Sequence, residues 1–232
     1  MRYLAIALLA CFPVLAAAQT PSPATSAPAP DPAWRVPEIL KFMKIKPGDK
    51  VADIVGGRLT ASLARAVGQH GKVYAVETAE VVKVHPEVLT MMRGLSAQAP
   101  NVIVSADPVV TPLAKGLDIV FIRQNYHDLY DQFMGPADVP AFNRAVYAAL
   151  KPGGVFVILD HAAVAGSGTA ATETLHRIDP ARVKADMRAA GFKFDGQSAI
   201  LANPADDHSK NVFDPAIRGH TDQFLFRFRK PQ

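Results

Sequence analysis

Cysteine is nearly missing from this 232-residue chain, where Cys11 is the only one. Loss of the first 18 residues would leave none, which excludes a disulfide, a thiol nucleophile and a thiolate metal site. Concentrated charge is missing too. The formal net charge is only +4 and the basic residues are scattered, unlike the basic face of a nucleic-acid binder. No segment repeats. No His-x-x-x-His or similar spacing marks a metal site, so the sequence assigns no metal. The Gly-x-Gly-x-x-Gly fingerprint of dinucleotide folds is absent, which speaks against a nicotinamide dehydrogenase.

The first 18 residues carry one positive charge at Arg2, an apolar run over 4–15 and the ending Ala16-Ala17-Ala18. This pattern predicts a secretory signal cut after Ala18, and hence a periplasmic or secreted protein. The apolar run is too short for an ordinary membrane span. Leu8-Leu9-Ala10-Cys11 resembles a lipoprotein box, but few apolar residues precede Cys11 and the run stays apolar after it, so lipid anchoring is the lesser reading. Residues 19–33, rich in Pro, Ala, Ser and Thr, read as a solvated tether. Residues 34–232 have the size of one α/β domain.

Within that domain, apolar runs alternate with amphipathic ones. Strands are expected over 50–55, 72–77, 101–105, 117–122 and 155–159, with helices over 36–45, from Thr60 as N-cap to Gly68, and over 86–97, 139–150 and 180–190. Two further strands, 192–201 and 223–228, have no helix between them and should pair antiparallel at one edge. Phe224, Phe226 and Phe228 alternate as one buried strand face. The pattern is a doubly wound, mostly parallel seven-stranded sheet covered on both sides.

The most informative stretch is 50–77. An apolar strand carries Asp53, Gly56-Gly57 follow, then a short helix, then a second apolar strand ending in Glu77. Strand, glycine turn, helix, strand, acid is how an α/β sheet builds a pocket for a nucleoside-bearing cofactor. Glycine lets backbone N–H groups approach the ligand, and the second acid can accept both hydrogen bonds of a ribose diol.

With Gly71-Lys72-Val73-Tyr74-Ala75-Val76-Glu77, Asp107, Leu117-Asp118-Ile119-Val120 and Leu150-Lys151-Pro152-Gly153-Gly154, these residues resemble the class I S-adenosylmethionine-dependent methyltransferases across 36–230. Four further motifs resemble a narrow bacterial group of exported predicted methyltransferases. They are Asn125-Tyr126-His127-Asp128, His176-Arg177-Ile178-Asp179, Asp206-Asp207-His208 and Gly219-x-Thr221-Asp222-Gln223-Phe224. The resemblance implies that S-adenosylmethionine is the cofactor. Gly56 and Gly57 would pass close to its methionine part, and Asp53 would orient that loop or the cofactor's amino group. Glu77 would hold the ribose and Asp107 would lie by the adenine. The sequence departs from the family's acid-x-glycine-x-glycine-x-glycine loop. Its own loop is about two residues shorter, and Arg58 stands where a small residue is expected.

Asn125, His127 and Asp128 follow the fourth strand, beside the expected transfer centre. His127 suits a general base near neutral pH, with Asn125 as a positioning group, although a His127–Asp128 pair can also serve structure alone. His127, His161, His208 and His220 each lie one or two positions from an aspartate. Neighbouring side chains on a strand point opposite ways, so each pair should offer one ligand at most. Arg177 can hold an anionic substrate or pair with Asp179. Two functions remain: an exported methyltransferase of a small or medium acceptor, or a non-catalytic envelope protein of the same fold that binds a nucleoside-like or anionic ligand.

Overall fold

The structure, a computed structural model, describes residues 35–232 apart from Arg58 and Pro112. The expected signal, lipoprotein box and tether lie outside the described residues, as does Arg58. Seven strands form one sheet: β1 (Lys50–Ile54), β2 (Lys72–Thr78), β3 (Val102–Asp107), β4 (Leu117–Arg123), β5 (Leu150–His161), β6 (Lys193–Ser198) and β7 (Gln223–Arg229). Their order is β3-β2-β1-β4-β5-β7-β6. β1 to β5 pair in parallel, and β7 runs antiparallel between β5 and β6.

Side chains alternate between two apolar layers because successive strand residues face opposite ways. Val51, Val73 and Ala75 pack under α1 (Val36–Met43), α2 (Thr60–Val67) and α4 (Pro86–Gln98). Ala52, Val120 and Ile122 pack under α3 (Ala79–Val84), α5 (Val139–Ala149) and α7 (Pro180–Ala189). Phe224, Phe226 and Phe228 are buried on that second side. No helix of the described residues is long and apolar enough to cross a membrane.

Three local readings change. Thr60 is the first helical residue rather than the N-cap of α2, and its hydroxyl turns back to the preceding loop. The segment after Glu77 forms α3, capped by Thr78 through a 3.2 Å bond from the Val81 N–H. The Lys151-Pro152-Gly153-Gly154 segment lies inside β5, where the pairing slips between Leu117–Leu150 and Ile119–Val155. Gly153 there takes φ 77°, a conformation that favours glycine.

Candidate functional site

Two acids meet under the α2 side of the sheet, at the carboxyl ends of β1 and β2. Asp53 pairs with Ala75, so Asp53 and Glu77 share a face. Asp53 Oδ2 accepts a 2.5 Å bond from the Thr60 hydroxyl, whose oxygen accepts the Gly57 N–H at 3.0 Å. The acid therefore pins the glycine turn through Thr60. Burial pushes the Asp53 carboxyl up to about 6, against the Thr60 bond and the Arg123 charge.

Glu77 is fully enclosed, and neither of its carboxylate oxygens has a well-formed hydrogen bond. Burial, then the charge of Asp53, pushes it up to about 7, against a weak backbone contact from Gly56 that falls short of a full hydrogen bond. A buried carboxylate so poorly supplied with donors is expensive and rare, so this pair of oxygens fits a missing donor pair. Gly56 closes over it: a Cβ there would stand 3.3 Å from Glu77 Oε1 and 2.9 Å from Met92 Cε. Val55, two residues after the acid, takes φ 50°. It adopts a conformation that glycine takes freely, at a strain cost of about 1–3 kcal/mol for a residue with a side chain. A valine at this position hides the conformation from the sequence.

Asp107 does not join these acids. It pairs with Thr78, one register step beyond Glu77, and so faces the opposite side of the sheet. There it lines a pocket of about 210 Å³ with Tyr74, Val76, Thr78, Val109 and Leu113.

A second cluster forms beyond β4 and β5. His127–Tyr130 is a 3-10 turn, not a strand, so the expected divergence of neighbouring side chains fails there. His127 Nε2 lies 3.0 Å from Asp128 Oδ1, and His127 Nδ1 lies 2.8 Å from Asp160 Oδ1. Asp160 Oδ2 also accepts the His127 backbone N–H at 2.8 Å. Burial alone would lower the imidazole pKa, but the Asp160 charge and the bonds to both carboxylates hold it well above its ordinary value. Burial would raise Asp128, but its bonds to His127, His176 and Asn125 hold it well below the usual carboxylate range.

This arrangement overturns the base role expected of His127. Both ring nitrogens face carboxylates, leaving no lone pair to collect a proton from an acceptor. Asn125 donates to Asp128 Oδ2 at 2.5 Å, so it positions Asp128. His161, beside Asp160, donates its backbone N–H to Asp160 Oδ1, and its Nδ1 lies 2.8 Å from the Thr221 hydroxyl. Burial drives the His161 pKa down to about 3.

Arg177 is completely buried and does not pair with Asp179. Its guanidinium grips Asp206 through Nη1–Oδ2 at 2.9 Å and Nη2–Oδ1 at 3.1 Å. It also bonds the carbonyls of Lys210 and Ala162, each at 2.9 Å. Asp206 in turn accepts the backbone N–H groups of His208 and Asp222, and His208 Nε2 meets Asp222 Oδ2 at 3.0 Å. The three motifs of the C-terminal third therefore form one brace around a buried arginine. Asp179 instead caps α7 through the Ala181 N–H.

No protein-family model matches the chain, and no curated protein matches it. Solved structures do. A SAM-dependent methyltransferase from Aquifex aeolicus is 18% identical with a TM-score of 0.58, covering 84% of this chain and 89% of that one. The N-methyltransferase NodS from Bradyrhizobium japonicum is 13% identical with a TM-score of 0.57, over 85% and 95%. The [4+2]-cyclase SpnF is 17% identical with a TM-score of 0.56, over 84% and 79%. At such identities the likeness shows the fold, and one scaffold carries different chemistries. The chain has the Rossmann-like methyltransferase fold, with a mostly parallel seven-stranded sheet and an antiparallel C-terminal pair.

Proposed function

We propose that this protein is an S-adenosylmethionine-dependent methyltransferase of a small or medium acceptor. The single observation that carries the reading is the enclosed carboxylate of Glu77 beside Gly56, which has no well-formed hydrogen bond, on the sheet edge where open α/β folds bind nucleotides. Glu77 would accept both ribose hydroxyls. Asp53, through Thr60, holds the Gly56-Gly57 turn that would lie along the methionine part. Asp107, on the opposite face of the sheet from Glu77, would take no part in this cradle. Bound there, the cofactor supplies an electrophilic methyl group on a sulfonium centre.

The protein's remaining task is alignment and exclusion of water, since methyl transfer is an in-line displacement. Asn125, His127 and Asp128 would position the acceptor side rather than remove a proton. An acceptor that is already nucleophilic suits this site best. The leader over 1–18 would take the protein out of the cytoplasm, in keeping with the exported group that the motifs resemble.

Calorimetric titration of the purified chain with S-adenosylmethionine and its demethylated product tests the reading. Clear binding by wild type and a strong loss in Glu77→Ala are expected. No binding by wild type overturns it. Binding without turnover on any acceptor would favour the non-catalytic nucleoside-binding reading. Intact mass after export should show loss of residues 1–18; an uncut N-terminus would contradict export.

A further inference from the structure

The geometry points to a second site: a divalent transition metal held by His127, Asp128, Asp131 and His176. One ligand atom from each of these four side chains lies within 4.8 Å of every other. Ligands around a tetrahedral zinc at ~2.0–2.1 Å stand roughly 3.3–3.4 Å apart, so a small contraction closes the set. His127 Nε2 and Asp128 Oδ1 are already 3.0 Å apart, and His176 Nδ1 is 4.0 Å from the same oxygen.

Local structure explains why these residues converge. In a 3-10 turn, residues i and i+3 eclipse, so the Asp128-x-x-Asp131 spacing puts both carboxylates on one side. The Asp131 N–H to Asp128 carbonyl bond, 3.0 Å, closes that turn. His176 arrives from the other loop, at the end of the short helix α6 (Thr172–Leu175), which packs on the turn. It takes φ 53°, an uncommon conformation for a residue with a side chain. The buried Arg177 brace beside it fixes that position.

Two independent features point to a cation. Asp131 is only 1% exposed, and its Oδ1 has no hydrogen-bond partner. The ligands are also oriented from behind: Asp160 holds Nδ1 of His127, which turns Nε2 inward, and Asn125 holds the second oxygen of Asp128. A carboxylate behind a ligating histidine is a recurrent feature of metal sites. The metal takes the place of the proton between His127 Nε2 and Asp128, which is released on binding, and the two imidazoles and two carboxylates then balance a dication. Two nitrogen ligands favour a zinc-like metal over magnesium or calcium, which prefer oxygen. The metal ties the loop after β4 to the loop after β5, and those loops flank the strand ends where a ligand would bind. This site does not depend on the methyltransferase reading.

The test uses the full, untagged chain stripped with a chelator and titrated with Zn²⁺ against a chelating dye, then with Co²⁺ in the visible. One Zn²⁺ per chain and the intense visible bands of four-coordinate Co²⁺ are expected. Asp131→Asn and His176→Gln should each weaken Zn²⁺ affinity at least tenfold, while His85→Gln, at an exposed histidine, should not change it. Zn²⁺ should raise the melting temperature of wild type and of His85→Gln only, and Mg²⁺ should raise neither. If the site variants fail to fold, the wild-type stoichiometry and Co²⁺ spectrum still decide. No stoichiometric binding by wild type, or affinity unchanged in folded Asp131→Asn and His176→Gln, overturns the proposal.

Discussion

Asp160 holds His127 twice, with Oδ1 on the ring Nδ1 and Oδ2 on the backbone N–H, each at 2.8 Å. One buried carboxylate from the end of β5 thereby fixes both the place and the ring orientation of a residue after β4. Asp160→Asn keeps the shape but loses the charge. A cost of about 1.5–3 kcal/mol in urea unfolding is expected, the range for hydrogen bonds to charged groups. An unchanged unfolding midpoint would mean that the two groups are not coupled.

Arg177 separates a structural role from a binding one. With its guanidinium fully enclosed on Asp206, Arg177→Ala leaves a buried carboxylate without its partner. A loss of about 3–5 kcal/mol is expected. A variant of normal stability that had lost only affinity for anions would instead restore the substrate role weighed from sequence.

Glu77 gives the unliganded protein a signed pH dependence. Its carboxyl is raised from 4.5 to about 7, so across that window the folded chain binds more protons than the unfolded one. Stability therefore falls as pH rises from about 4.5 to about 7 through this group. Glu77→Gln removes the titration, and its stability relative to wild type should improve steadily from pH 4.5 to pH 8. A difference that stays constant over that range would contradict the burial argument.

The same proton should leave when a ribose diol binds, because two hydroxyl donors favour the ionised carboxylate. At pH 6, the heat of S-adenosylmethionine binding should vary with the ionisation enthalpy of the buffer, and affinity should rise toward pH 8. Buffer-independent heats would place the ligand away from Glu77.

Strand positions and the α/β layering were legible in the sequence because continuous apolar runs such as Leu117–Arg123 mark strands buried on both faces. Asp53 and Glu77 were legible because they come at the ends of apolar runs, on the edge where open α/β sheets bind ligands. Asp107 was not separable from them, since only register reveals which face a strand residue takes. The second cluster was hidden for another reason. Its members come from 127–131, 160 and 176, and its geometry depends on a 3-10 turn and on one left-handed histidine, neither of which side-chain pattern announces. Val55 was missed likewise, because its backbone conformation contradicts its residue type.

A crystal structure of the protein with S-adenosylhomocysteine is the most direct test. The account predicts both ribose hydroxyls on the oxygens of Glu77, with the Gly56-Gly57 turn alongside the ligand. A ligand bound elsewhere, or a Glu77 carboxylate still without a well-formed hydrogen bond in the complex, would contradict it.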